Sequence, residues 1–309
     1  MSASSARRHG PFALVGPTAS GKSAIALELA RRMHDLEIVS ADSMQVYRGM
    51  DIGTAKPNAE ERAEVAHHLI DVAGPEEDWD VARFVEAAGK AVADIESRGH
   101  RALFVGGTGL YLHAFIDGFQ VPGRWPAAGQ ELAAEADTAR LYERLEVLDP
   151  EAAARIDPNN RRRVLRALEV TLGSGRPFSG YGPGVASFPA TQWHLAGIWL
   201  PRRVVAARVA ARFEAMMAQG LLDEVRELAA RPEGLSRTAR QALGYRELLA
   251  HVEQGAPLDQ ATQEAVQRTR QFARRQRMWW RRDPRTRWFG TTANPLELVP
   301  ALLGNWADD

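Results

Sequence analysis

Eight consecutive residues near the start of the chain, GPTASGKS at positions 16–23, contain the residue types of a phosphate-binding loop. The spacing G-x-x-x-x-G-K-[ST] is typical of a loop whose backbone N–H groups surround phosphate oxygens. Lys22 would add a full positive charge, and the Ser23 hydroxyl could hold Mg²⁺. The sequence therefore predicts a phosphate site, without identifying the phosphate, formed by Gly16, Pro17, Thr18, Ala19, Ser20, Gly21, Lys22 and Ser23.

Two further loops carry side chains suited to chemistry. Asp42 lies in a polar, glycine-containing stretch, residues 40–57, where its carboxylate could be a general base or an outer-sphere metal ligand. The alternative for Asp42 is the capping of a helix or turn. Thr108 lies in GGTGLY, residues 106–111, where its hydroxyl could donate to a phosphate, unless this segment is only a turn between strand and helix.

The Thr108 loop also argues against one class of P-loop protein. Mechanical and switch NTPases place a magnesium-binding aspartate at the end of an apolar strand, whereas two glycines and Thr108 occupy that position here. The phosphate loop is therefore expected to serve another reaction.

Short apolar runs precede the three loops and predict the strands that position them, at residues 12–15, 37–40 and 101–105. Strands and helices alternate over residues 12–118, which predicts a parallel sheet with helices on both faces. Because loops at the carboxyl ends of parallel strands meet at one edge of the sheet, we expect the three loops to lie together.

The rest of the chain predicts a helical insert and a return to the sheet. Proline- and glycine-rich segments bound the insert, which contains two helical patterns, near residues 132–148 and 152–172. After the insert we expect a strand at 192–200, helices at 203–230, 238–253 and 258–281, and a last short strand at 287–289. The fold class is therefore α/β: a P-loop NTPase-like parallel sheet flanked by helices (residues 1–118 and 190–309), with a helical insertion domain (residues 119–189).

Composition excludes several classes of function. The chain has no cysteine, so disulfides, thiolate nucleophiles and cysteine-bound zinc are excluded. Its 39 basic and 39 acidic residues cancel, so any affinity for nucleic acid must come from local clusters of arginine. His67 and His68 are adjacent and would face opposite sides of a strand, which favours structural roles. No signal peptide or membrane span is found, so we expect a cytoplasmic protein with no membrane partner.

Taken together, the loops resemble those of one family, the tRNA dimethylallyltransferases. GPTASGKS, SADSMQVYRGMDIGTAKP and VGGTGLY are similar to the family's blocks, and further blocks follow in the same order. These are LDPEAAARIDPNNRRRVLRALEV, RFEAMMAQGLLDEV, QALGYREL and RTRQFARRQRMWWR. The resemblance covers nearly the whole chain, and generic P-loop kinases share only its first motif.

The resemblance implies a prenyl transfer in which the P-loop holds the diphosphate of dimethylallyl diphosphate. Asp42 would accept the proton from N6 of the target adenine, and Thr108 and Arg212 would stabilise the departing diphosphate. Elementary chemistry agrees, because negative charge builds on the leaving oxygen and cationic groups or Mg²⁺ stabilise it.

The resemblance also implies that the target is adenine 37 of a tRNA anticodon loop, flipped out for reaction. Single-stranded RNA is held by stacking on aromatic rings and by arginine contacts to phosphates. We expect tRNA contacts, on a monomeric enzyme, from Asp42, Ser43, Met44, Gln45, Arg162, Arg163, Arg166, Gln241, Gly244, Tyr245, Arg246, Arg274, Arg275, Gln276, Arg277, Trp279, Trp280 and Arg281.

Two other functions are weighed against prenyl transfer. A small-molecule or nucleotide kinase would use the same P-loop for ATP, with Asp42 as base and the insert as a lid. A non-catalytic RNA-binding module would use the P-loop only to anchor a tRNA phosphate. Neither alternative explains the matched blocks in the second half of the chain.

Overall fold

Six parallel strands form one sheet in the computed structural model, which describes residues 11–182 and 184–307. The strand order is β3-β2-β4-β1-β5-β6. The strands are β1 (Phe12–Val15), β2 (Leu36–Ser40), β3 (His67–His68), β4 (Arg101–Gly106), β5 (His194–Trp199) and β6 (Arg287–Gly290). The predicted parallel sheet is confirmed, and β1 lies between β4 and β5, so the P-loop starts near the middle of the sheet.

Helices join and cover the strands, as the alternating pattern predicted. They are α1 (Lys22–Arg32), α2 (Ala59–Glu64), α3 (Val81–Ser97), α4 (Gly109–Ile116), α5 (Pro126–Ala134), α6 (Thr138–Leu148), α7 (Pro150–Arg155), α8 (Arg161–Ser174), α9 (Arg202–Ala218), α10 (Leu221–Ala229), α11 (Tyr245–Gln254), α12 (Leu258–Trp280) and α13 (Val299–Ala307).

The sheet separates two apolar cores. In β1, Ala13 and Val15 face one core while Phe12 and Leu14 face the other, and all four are fully buried. Side chains alternate between the two faces of a strand, so a strand buried on both faces reads as a continuous apolar run. Burying a side chain the size of Phe12, Leu14 or Val15 contributes about 1.5–3 kcal/mol to the free energy of folding. Strand β1 is therefore held firmly and gives the loop that follows it a rigid base.

Two of the long helices predicted in the second half of the chain are interrupted. The predicted helix 203–230 is two helices, because Gly220 adopts a φ of +100° between α9 and α10. The predicted helix 238–253 begins as a short 3₁₀ segment, and α11 starts only after Gly244, whose φ is +88°. Glycine tolerates positive φ without steric cost, and each of these glycines ends the regular run before it.

Residues 117–189 form a compact unit with its own core, and the rest of the chain forms the other unit. Helices α5 to α8 lie in the smaller unit and pack around Leu132, Leu145 and Leu168, which are buried. Four helices stand where two helical patterns were predicted, because Asp137 and Asn160 each cap a new helix within one of the two patterns. The Asn160 side chain caps α8 by accepting a hydrogen bond from the Arg163 amide at 3.3 Å.

A buried carboxylate organises the amino end of β2. Glu37 accepts hydrogen bonds from His68, Arg98 and His100, each at 2.7 Å. Burial alone would raise the pKa of Glu37, but these three basic partners lower it to about 2. His67 contacts the Val65 carbonyl instead, with its Nδ1 at 2.7 Å, so the two adjacent histidines have separate contacts within the fold.

Candidate active site

The P-loop connects β1 to α1 and has a backbone that only glycine can adopt at its two ends. Gly16 has a φ of +144°, and a Cβ built on it would lie 2.9 Å from the Ile198 carbonyl oxygen on β5. Gly21, the N-cap of α1, has a φ of +89°, and its Cβ would lie 2.5 Å from Pro295 Cγ. Helix α1 therefore begins at the loop, where its N-terminal N–H groups favour an anion.

Lys22 is buried within this loop. Its Nζ donates a hydrogen bond to the Pro17 carbonyl oxygen at 2.7 Å and lies 3.5 Å from Ser20 Oγ. Burial lowers the pKa of Lys22 to about 7; Asp42 opposes this lowering and Arg212 adds to it. An ammonium group held away from water in this way gains strongly from a bound anion, because the anion replaces the lost hydration.

Asp42 lies just beyond the end of β2, and its negative charge is close enough to raise the pKa of Lys22. Its Oδ1 accepts a hydrogen bond from the Met44 amide at 2.8 Å, so one carboxylate oxygen fixes the local turn. For the second oxygen, Oδ2, no hydrogen bond occurs within residues 11–182 and 184–307. The turn-capping role and a chemical role are therefore compatible, since one oxygen orients the group and the other can accept a proton.

Two arginines on α9 approach the same place. Burial lowers the pKa of Arg212, Asp42 opposes that effect, and Arg208 adds to it. Arg208, one helical turn before Arg212, has its Nη2 3.6 Å from the position that a Cβ on Gly21 would occupy. Arg208 is not part of a local motif in the sequence, and only the approach of α9 to the P-loop reveals its location.

The third loop, which follows β4, is held very close to the other two. A Cβ on Gly106 would lie 2.3 Å from the Ala41 carbonyl oxygen, and one on Gly107 would lie 3.0 Å from the Gly16 carbonyl oxygen. Thr108 comes next and is partly exposed, and its carbonyl accepts the first amide bonds of α4. The expected convergence of the three loops is observed, and it depends on the missing side chains at these glycines.

Comparison with known proteins matches the sequence of this chain to one family. The family model described as IPP transferase matches residues 45–283, and the model described as isopentenyl transferase matches residues 10–72. The tRNA dimethylallyltransferase of Roseiflexus sp. (strain RS-1) is 45% identical over 305 residues, with 96% of this chain and 98% of that protein covered. The chain belongs to the tRNA dimethylallyltransferase family.

Other relatives agree. The tRNA dimethylallyltransferase of Geobacter metallireducens is 47% identical over 295 residues, covering 94% of this chain and 95% of that protein. The crystal structure of a tRNA isopentenylpyrophosphate transferase from Bacillus halodurans is 35% identical, has a TM-score of 0.70, and covers 97% of this chain and 98% of that one. A eukaryotic dimethylallyltransferase acting on tRNA, at 24% identity and a TM-score of 0.74, shares the fold and covers 91% of this chain and 74% of that one.

The family's basic block on α12 has two kinds of position. Arg274 and Arg275 are exposed, as is Arg281 just after the helix, so their guanidinium groups can reach a polyanion. Trp280 is fully buried and packs edge-on against His113 at 5.1 Å between ring centroids. Trp280 therefore presents no exposed ring face for stacking in this conformation, and its contact with RNA stays a prediction.

Gln276 and Arg277 also point into the protein rather than outward. Gln276 is buried, and its Oε1 accepts a hydrogen bond from the Thr18 amide of the P-loop at 2.7 Å. The guanidinium carbon of Arg277 lies 5.2 Å from the centroid of the Trp199 ring, and burial lowers the pKa of Arg277. Both side chains join α12 to the core, and their contact with RNA stays a prediction. Trp279 is only partly buried and lies against Gly109.

Gln45 holds the long Asp42 loop together. It accepts a hydrogen bond from Ser40 Oγ at 2.8 Å, and its amide donates to the carbonyls of Thr54 and Ala55 at 3.2 Å. These hydrogen bonds hold the side chain within the loop, and a contact between Gln45 and tRNA stays a prediction. Ser43 and Met44, beside Asp42, are partly exposed.

Tyr245 supports the same loop from α11. Its hydroxyl donates to Glu224 Oε1 at 2.6 Å, and its ring packs so closely on Gly53 that a Cβ there would lie 2.4 Å away. Glu224 in turn accepts hydrogen bonds from the backbone amides of residues 51–53. Tyr245 is thus buried and supports the loop, whereas its neighbours Gln241 and Arg246 are exposed; the tRNA contacts of all three stay predictions.

The expected RNA contacts of the smaller unit also differ in exposure. Arg162 and Arg163 are exposed on the first turn of α8. Arg166 is partly buried, donates to the carbonyls of Pro122 and Gly123 at 2.8 Å, and pairs with Glu169. Arg166 therefore stabilises the fold of its own unit, while the exposed side chains of Arg162 and Arg163 could contact phosphates.

Metal clusters and membrane spans were both sought in the described residues. Within the described residues, no group of three or more His, Asp or Glu side chains could hold a metal ion by itself. In the same part of the chain, no helix is long and apolar enough to cross a membrane.

Proposed function

We propose that this protein transfers a dimethylallyl group from dimethylallyl diphosphate to N6 of adenine 37 in tRNAs that read codons beginning with U. The observation that carries the proposal is the convergence of a buried lysine, a carboxylate and an arginine without an ion pair among the described residues, at a P-loop in a member of this family. The cationic groups suit a diphosphate leaving group, and the carboxylate suits the proton that an attacking amine must lose.

In the proposed reaction, the adenine N6 attacks the allylic carbon, the bond from that carbon to the diphosphate oxygen breaks, and Asp42 accepts the N6 proton. Lys22 and Arg212 stabilise the charge that develops on the departing oxygen, and the Thr108 hydroxyl donates to it. The free Asp42 Oδ2 supports the role as base, because the other oxygen fixes the orientation of the group.

A bound Mg²⁺ would supply further stabilisation of the diphosphate charge. The Ser23 hydroxyl fits this ion, because Ser23 is exposed on the first turn of α1 and its hydroxyl makes no hydrogen bond within the described residues. A single hydroxyl with phosphate oxygens and waters is a common environment for Mg²⁺. The remaining P-loop residues, 16–21, would supply the backbone around the diphosphate.

The RNA is proposed to lie on the exposed residues of the matched blocks. Arg274, Arg275 and Arg281 would contact anticodon-loop phosphates, and Trp279 supplies the partly exposed aromatic ring. Arg162, Arg163, Gln241 and Arg246 are the remaining exposed candidates. We further propose that the enzyme acts as a monomer in the cytoplasm, and that residues 119–189 are an insertion domain.

A transfer assay tests the proposal directly. Purified protein and Mg²⁺ are incubated with radiolabelled dimethylallyl diphosphate and an unmodified tRNA carrying A36-A37-A38, with ATP and no prenyl donor in a parallel tube. Label in the tRNA is the expected result. Consumption of ATP with a small molecule, while the label remains free, would instead support a kinase.

A further inference from the structure

Arg208 occupies a position at the P-loop that the proposed mechanism does not yet use. Its Nη2 lies 3.6 Å from the point where a Cβ on Gly21 would be. Gly21 is the N-cap of α1, the end of the helix at which an anion is favoured. A guanidinium group at that point is within reach of any phosphate held by the loop.

The local charges are unbalanced without a ligand. Arg208 and Arg212 are two cations beside the Lys22 amine, and Asp42 is the acidic group that acts on Lys22 and Arg212. Neither guanidinium group forms a hydrogen bond or an ion pair within residues 11–182 and 184–307. Two guanidinium groups this close together repel each other, and burial strengthens that repulsion because screening by water is lost.

We propose that Arg208 binds the diphosphate directly, as a second arginine beside Arg212. This inference rests on the proposed function, since it deepens the same site. A guanidinium group donates two parallel hydrogen bonds to one phosphate, which a lysine cannot reproduce. Arg208 therefore holds the phosphate at the start of α1. Together with Lys22 and Arg212, it balances the negative charge of the diphosphate.

The competing explanation is that Arg208 only positions Arg212, four residues later on α9. The two explanations differ in what happens when Arg212 is already absent. A residue that only supports Arg212 has no further effect in that background, whereas a residue that contacts the ligand still has one.

The test is isothermal titration of inorganic pyrophosphate, with Mg²⁺, into the full-length protein and its variants. Arg208→Gln is expected to weaken pyrophosphate binding about 10- to 100-fold, as for the loss of a charge-assisted hydrogen bond, and Arg208→Lys is expected to recover only part of it. Arg203→Gln, an exposed arginine on the same helix, is the matched control and should bind like the wild type.

Two further measurements separate ligand binding from structural support. Arg208→Gln added to Arg212→Gln should weaken pyrophosphate binding again, by a similar factor. The ligand-free Arg208→Gln protein should melt at the wild-type temperature or above it, because one repelling charge is removed.

Wild-type pyrophosphate affinity in Arg208→Gln, or no added effect in the Arg212→Gln background, would overturn the inference. So would a lower melting temperature accompanied by equal losses of pyrophosphate and tRNA affinity. Failure of the wild-type protein to bind pyrophosphate would count against the proposed function instead, so the two failures can be told apart.

Discussion

Replacement of Lys22 by methionine should stabilise the ligand-free protein while destroying its diphosphate site. Burial lowers the pKa of Lys22 from 10.5 to about 7, so the folded state holds a proton on this group less tightly than the unfolded state does. At about 1.36 kcal/mol for each tenfold change in proton affinity, the buried ammonium costs roughly 5 kcal/mol of folding free energy below pH 7. Loss of its hydrogen bond to Pro17 offsets about 1 kcal/mol of the gain, leaving about 4 kcal/mol.

The sign of the pH dependence makes this prediction specific. Between pH 7 and 10.5 the unfolded chain keeps the Lys22 proton and the folded chain does not. The free energy of unfolding of the wild type therefore rises with pH relative to that of the variant. Lys22→Met should therefore be the more stable protein at pH 6, and its advantage should shrink towards pH 10.

Urea denaturation of both proteins at pH 6, 7, 8 and 9 measures this difference, since groups that titrate alike in both proteins cancel. Pyrophosphate titration of the same samples should show binding to the wild type and little to the variant. A variant less stable than the wild type at pH 6, or a difference that does not change with pH, would refute the reasoning.

The other predictions concern the base, the RNA surface and the buried carboxylate. Asp42→Asn should lower the single-turnover transfer rate at least 100-fold with tRNA affinity unchanged in a filter-binding assay, on the order of a lost general base; a wild-type rate would remove Asp42 as base. Arg274→Ala combined with Arg275→Ala should reduce tRNA affinity. It should also reduce by about 2 the slope of log affinity against log salt concentration, because two phosphate contacts are lost, and an unchanged slope would mean that this surface does not contact phosphates. Glu37→Gln should cost about 2 kcal/mol in urea denaturation at pH 7, and this difference should disappear as the pH falls from 4.5 towards 2, since the pKa of Glu37 is about 2 in the folded state; a difference independent of pH would contradict the ion-pair explanation.

The sequence predicted the sheet and its loops well because those signals are local. The apolar run 12–15, the glycine spacing and the helical pattern after Lys22 are neighbours in the chain, and each has one physical explanation. The parallel direction of the strands was also predictable, since alternating strands and helices leave few other topologies.

The direction of individual side chains could not be read in the same way. Trp280 and Gln276 lie in a block of arginines that looks exposed throughout, yet one helix face packs on the core and the other does not. Neither the hydrogen bond from Thr18 to Gln276 nor the approach of Arg208 to Gly21 has a local signal, because both join segments far apart in the chain. A closer count of the helical period in α12 would have placed Trp280 on the buried face with Ala273.

The most direct test of the central claim is to locate the transferred group by nuclease digestion and mass spectrometry. Wild-type protein is incubated with dimethylallyl diphosphate and either an unmodified A36-A37-A38 tRNA or the same tRNA with guanine at position 37. We predict one dimethylallyl group on N6 of adenine 37 in the first tRNA and none in the second. Equal modification of both tRNAs, or no modification of either by a protein that binds pyrophosphate, would contradict the account.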